Sequence, residues 1–165
     1  MKDGVARDGP AGAAGPDERV ELTIPSSPRH LSLVRVMARW LAEKAQLPER
    51  DWGRVELAAV EATTNIIRHA YGGDPTKVIR IRLREIEDGL EMEFLDDGKG
   101  APPSALVGRD PSELEPGGLG IRMMKTCMDG FHYETRPGCG SRLVLRKLRP
   151  EGSDAAGSCG CGESP

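Results

Sequence analysis

The chain is poor in aromatic residues. Two Trp, two Tyr and two Phe make up 4% of its 165 positions. Platforms on which nucleic-acid bases stack are built from such side chains, so none is expected. Neither charge is in marked excess: 23 Lys and Arg stand against 26 Asp and Glu, for a net charge of −3. A protein that grips nucleic acid through a basic face is excluded on that balance. No apolar run approaches the roughly 20 residues of a membrane span. The N-terminal stretch lacks the continuous apolar segment of a secretory signal. These absences predict a soluble cytoplasmic protein that uses neither nucleic acid nor membrane.

Cysteine is also sparse, at Cys127, Cys139, Cys159 and Cys161. In a reducing compartment no disulfide is expected. Cys127 falls in a helical pattern and reads as core. Cys159 and Cys161, in "GSCGCGE", supply two thiols without a nearby His. A tetrahedral zinc site wants four ligands, so an oxidisable tail is the plainer reading. Both ends lack apolar periodicity. Residues 1–17 and 149–165 are Gly, Ala, Pro, Ser and charge, and are expected to be disordered. Residues 18–148 then form one domain.

Within that domain the patterns are clear. "RVELTIP" alternates Val20, Leu22 and Ile24 with Glu21 and Thr23, which is strand spacing. Ser26 or Ser27 can cap a helix with Pro28 in its first turn. Leu31, Val34, Ala38, Leu41 and Ala45 then make a helical apolar stripe. A second helix is predicted from about Asp51 to Tyr71, with Val55, Ala59, Ala62, Ile66 and Ala70 as its core stripe, ended by "YGGDP". Ile79, Ile81 and Leu83 alternate with three arginines. Leu90, Met92 and Phe94 alternate with two glutamates, and "EDG" turns one strand into the other. Their charges read as a solvated sheet face. A polar stretch, Ala101 to Pro116, is long enough to be a lid. A helix with Ile121, Met124 and Met128 on one face follows, then a hairpin of "FHYETR" and "SRLVLRKL". This order predicts an α+β fold, a two-layer α/β sandwich. Its sheet is mixed but mostly antiparallel, with the helices on one face.

Three short segments carry chemistry. "EATTN" places Glu61 and Asn65 four residues apart on one helix face, flanking the core stripe. A carboxylate there can deprotonate or orient a nucleophile. A carboxamide oxygen suits Mg²⁺. Alone, the pair also fits an ordinary solvated face. "DDGKG" ends a strand with Asp96, whose carboxylate can accept a hydrogen bond from an exocyclic amine. Gly98 and Gly100 permit positive φ and close approach of a flat ligand, although a plain Asp/Gly turn reads the same way. "PGGLGI" exposes backbone N–H groups at a helix start, where phosphate is favoured, without the Lys-Ser/Thr of a Walker loop. A glycine hinge is the alternative.

In this order and spacing, the three segments resemble the nucleotide-binding boxes of the GHKL ATPase superfamily, which uses the Bergerat ATP-binding fold. That superfamily includes type II topoisomerases, heat-shock chaperones, sensor histidine kinases and mismatch-repair ATPases. "PRHLSLVRVMARWLAE", "ELAAVEATTNIIRHAY", "GGLGIRMMKTCMDGFHYE" and "GCGSRLVL" resemble the bacterial anti-sigma-factor serine/threonine kinases within it, over about Val20 to Leu148. The resemblance implies a role for each residue. Glu61 is the general base, and Asn65 coordinates Mg²⁺ between the phosphates. Asp96 binds the adenine amino group, with Gly98 and Gly100 shaping the pocket. Gly118, Leu119 and Gly120 meet the phosphates, Ser141 lies near the adenine, and the 101–116 stretch covers ATP. His69 and Tyr71 are assigned to packing. The implied reaction moves the γ-phosphoryl of ATP to a serine or threonine of an anti-anti-sigma (STAS) protein. The implied partners are that protein, a sigma factor and a second copy of the chain. The lid departs from the family pattern, and Lys99, Arg109 and Arg122 are equal candidates for a phosphate-gripping cation. An ATP-dependent binding module without transfer is the alternative. A histidine kinase is a weaker one, since no helical hairpin with a phosphoacceptor histidine precedes the boxes.

Overall fold

The computed structural model describes residues 18–99, 119–136, 138 and 140–150. Its sheet has five strands: β1 (Arg19–Pro25), β2 (Val78–Ile86), β3 (Gly89–Asp96), β4 (Gly130–Arg136) and β5 (Gly140–Leu148). Their spatial order is β1-β2-β3-β5-β4, and all four pairings are antiparallel. Three helices, α1 (Leu31–Lys44), α2 (Glu49–Asn65) and α3 (Leu119–Cys127), complete the two-layer sandwich that the alternating patterns predict.

The core forms where the inward-facing strand positions meet the helix stripes. Ile79, Ile81, Leu83, Leu90, Met92 and Phe94 are buried from the sheet. Val34, Ala38 and Leu41 of α1, Val55, Ala59 and Ala62 of α2, and Met124 of α3 close over them. Helix α2 packs against both other helices, so it is the middle of its layer. Three of its six buried residues are alanine, which keeps the helices close.

Two local features depart from the sequence reading. Ser27 stands before a 3₁₀ turn, Pro28–His30, that leads into α1, and its side chain makes no capping bond. The predicted helix to Tyr71 also changes character. After Asn65 the chain continues as a π-helical turn, Ile66–Ala70. The Tyr71 N–H donates to Ile66 O at 3.1 Å and the Gly73 N–H to Ile67 O at 2.7 Å. Gly72 and Gly73, both at positive φ, then end the helix. Such wide turns concentrate at functional sites.

The outer sheet face differs as well. Glu91 is buried beneath arginines at 6% exposure, and Glu93 is partly buried. Arg84 of β2 and Arg146 of β5 flank Glu91 at 2.7 Å each. Arg82 approaches Glu93 at 3.2 Å, and Arg142 donates to the same carboxylate from the other side. Burial alone would raise the Glu93 carboxyl. The Arg142 and Arg82 hydrogen bonds outweigh it and hold Glu93 below the ordinary carboxylate range.

Candidate active site

Glu61 and Asn65 project from the last turns of α2, both half-buried. The first turn of α3 lies directly against them. A Cβ added at Gly120 would stand 2.7 Å from Glu61 Oε2 and 3.4 Å from both terminal atoms of Asn65. A side chain at position 120 would displace the Glu61 carboxylate. The positive end of the α3 dipole thus faces the Glu61 carboxylate, an arrangement favoured electrostatically.

A second cluster forms where β3 ends. Leu90, Met92 and Phe94 point into the core, and the same alternation carries Asp96 inward. Asp96 is 1% exposed, and a carboxylate so placed must be hydrogen-bonded. Opposite it in register stands Ser141, whose hydroxyl donates to Asp96 Oδ2. The Gly98 N–H donates to Oδ1 at 2.9 Å. Each carboxylate oxygen keeps a lone pair for a further donor. Gly140 makes this pairing possible. Its φ is +83°, and a Cβ there would lie 1.7 Å from Asp96 O.

The two clusters are joined through the π-helical turn. A Cβ on Gly98 would lie 2.4 Å from Ala70 O, and the Lys99 N–H donates to that carbonyl at 3.2 Å. Gly98 therefore serves close packing, and its φ is not positive as the sequence reading allowed. Ala70 follows Asn65 by five residues, roughly 7 Å along a helix axis. One helical segment therefore carries Glu61 and Asn65 and contacts the Asp96 turn at its end. Leu119 is 70% exposed at the start of α3, and Lys99 and Arg122 are exposed. Gly100, Gly118, Arg109, the 101–116 stretch, Cys159 and Cys161 lie outside the described residues. The sequence reading missed Ala70 and Tyr71, which meet the Asp96 turn. The only available signal was their position between "EATTN" and "GG".

Residues 24–147 match the family model described as the histidine kinase-like ATPase domain. The chain belongs to this family. Among its relatives, the serine-protein kinase RsbW of Bacillus licheniformis is 30% identical over 128 residues, 72% of this chain and 79% of that one. The Bacillus subtilis protein of the same name is 28% identical over 127 residues, with the same coverage. That of Listeria innocua is 28% identical over 120 residues, 68% of this chain and 76% of its own. A crystal structure of the RsbU and RsbW domains of a Mycobacterium tuberculosis protein superposes with a TM-score of 0.55 at 18% identity. The likeness covers 81% of this chain and 33% of that one, and at this identity it concerns the fold alone.

The side chains present suit the nucleotide and divalent ion of such ATPases. Among the described residues no three His, Cys, Asp or Glu converge on one point, so a cage of protein ligands is not what the site offers. Asn65 offers one carboxamide oxygen, with Glu61 one helical turn away. Magnesium held mainly by phosphates needs no more than one or two side-chain oxygens. Asp96 offers a buried acceptor for an amine.

Proposed function

We propose that this protein is an ATP-dependent serine/threonine kinase of a partner-switching system. It transfers the γ-phosphoryl of ATP to a serine or threonine of an anti-anti-sigma STAS protein in the cytoplasm. While that partner is phosphorylated, the kinase itself holds a sigma factor. The observation that carries this reading is the meeting of Glu61, Asn65 and Gly120 at the start of α3, in a chain similar to serine-protein kinases over 72% of its length.

Asp96, backed by Ser141 and Gly98, accepts the adenine amino group. The backbone around Gly118, Leu119 and Gly120 receives the phosphates at the helix start. Asn65 would hold the magnesium ion, which offsets phosphate charge when bound. Glu61 accepts the proton of the attacking hydroxyl and aims its oxygen along the line of transfer. Phosphoryl transfer asks for positioning and charge stabilisation, and these residues supply both. The product phosphate then carries nearly two negative charges at a packed surface, which releases the partner.

A second copy of the chain fits α1. Leu33, Val36 and Trp40 are 42%, 62% and 39% exposed, at spacings that place them on one helix face.

The decisive experiment uses labelled ATP and a purified STAS partner. Glu61→Gln keeps the shape of the site and removes the base. ATP affinity should stay within about twofold, while transfer falls by roughly 10²–10⁴, the usual worth of general base catalysis. An unchanged rate rejects Glu61 as the base. A wild-type protein that captures the partner with ATP yet transfers no label is a binding module instead.

A further inference from the structure

Tyr71 ends the π-helical turn and bridges the ends of two strands. Its hydroxyl donates to Val78 O at 2.7 Å, at the start of β2. The same oxygen accepts the Asp97 N–H at 2.9 Å. Next to it, Ala70 O accepts the Lys99 N–H and packs against Gly98. The backbone that follows Asp96 is thus held from the helix side, while Ser141 and Gly98 hold the carboxylate itself. Burial pushes the Tyr71 phenol above its ordinary value, against the effect of the Asp97 N–H bond. The Asp96 and Asp97 carboxylates push it the same way as burial. The hydroxyl therefore keeps its proton at neutral pH and fills both roles, donor and acceptor.

Both partners of that hydroxyl lie at the surface: Val78 is 44% exposed and Asp97 is exposed. Water can replace the phenol at either one, so little folding energy rides on these bonds. Their consequence is the direction of the chain leaving Asp96. We propose that Tyr71 is a positioning residue for base recognition. It aims the Asp96 carboxylate through the Asp97 amide, and so sets the preference for a purine with a 6-amino group over one with a 6-oxo group. This inference rests on Asp96 as the residue that accepts the adenine amine.

The test compares Mg-ATP and Mg-inosine triphosphate binding by calorimetry for wild type, Tyr71→Phe and Asp96→Asn. Tyr71→Phe should weaken ATP binding about fivefold, the worth of one net hydrogen bond. Inosine triphosphate should change less than about twofold, and kcat at saturating ATP should hold. Asp96→Asn should abolish the preference. Hydrogen exchange at the Asp97 amide should quicken in Tyr71→Phe while Lys99 stays protected. A purely structural tyrosine would weaken both nucleotides equally, or neither, and that result overturns the proposal. If Asp96→Asn alone loses the preference, Tyr71 is excluded and Asp96 keeps its role. If Asp96→Asn retains it, both assignments fall.

Discussion

Gly120→Ala separates the chemistry from the fold. The added Cβ would sit 2.7 Å from Glu61 Oε2, and ordinary contact begins at 3.4 Å, so the carboxylate must retreat by about 0.7 Å. The obstacle is the far end of a flexible side chain, not backbone, so the fold gives way cheaply. Alanine in place of glycine within a helix also favours the folded state by about 0.5–1 kcal/mol. Stability should therefore stay level or rise slightly. Catalysis should not. A reacting group misplaced by about 1 Å costs on the order of 10²-fold, so a 0.7 Å retreat predicts a loss of roughly ten- to a hundredfold in transfer. Single-turnover transfer at saturating ATP reads this directly, with a thermal melt of the same sample. Gly53→Ala is the internal control. Gly53 lies in α2 with nothing within 4 Å of an added Cβ. It should raise Tm by about 2–4 °C with transfer unchanged. Transfer by Gly120→Ala equal to wild type would show that Glu61 does not need its present position.

Two further outcomes follow from surfaces away from the site. Val36→Asp places a carboxylate in the middle of the exposed α1 stripe, and burying it unpaired costs about 3 kcal/mol, so self-association should weaken about a hundredfold by sedimentation. A monomeric wild type at micromolar concentration rules out the pairing. Glu93 is held below its ordinary value of 4.5, so its ion pairs stabilise the fold above that pH, and the benefit is lost as pH falls through its folded-state value. The urea midpoint of wild type should exceed that of Glu93→Gln near pH 7, and the gap should close as Glu93 becomes protonated in acid. An unchanging gap contradicts the assigned network.

The elements legible in the sequence were those set by local period. Ile79 to Leu83 and Leu90 to Phe94 alternate strictly, and their hairpin pairs as that alternation requires. Val34, Ala38, Leu41 and Ala45 of the first stripe and Val55, Ala59, Ala62 and Ile66 of the second are buried as read, while Leu31 and Ala70 are only partly so. Features that depend on distant partners were not legible. Alternating charge on β2 and β3 looks solvated until Arg142 and Arg146, 49 and 55 residues beyond Glu93 and Glu91, are laid over them. A π-helical turn of five residues leaves no period to detect. Within the site, Glu61, Asn65 and Asp96 were each nameable from short segments, and Ser141 only from the family resemblance. Their contacts were not: Gly98 was read as room for a ligand and proves to be room for Ala70. Tyr71 was read as packing because its two partners, Val78 and Asp97, come from two different strand ends.

The charged outer face and the candidate site are linked by register. Asp96 meets Ser141 only if β5 lies on β3 as it does now. A slip of one residue would bring Arg142 or Gly140 opposite Asp96, and would turn every side chain of β5 to the other face of the sheet. The inner face resists such a slip through Leu143 and Leu145, buried against the helices. The outer face resists it through charge, because Arg142 and Arg146 engage Glu93 and Glu91 only in this alignment. Gly140 adds a steric limit, since any side chain there would enter the Asp96 carbonyl. The polar pair at the strand ends is thus fixed by apolar contacts below and ion pairs above. That is why two residues with no hydrophobic surface of their own can be held, buried, at the place proposed for base recognition.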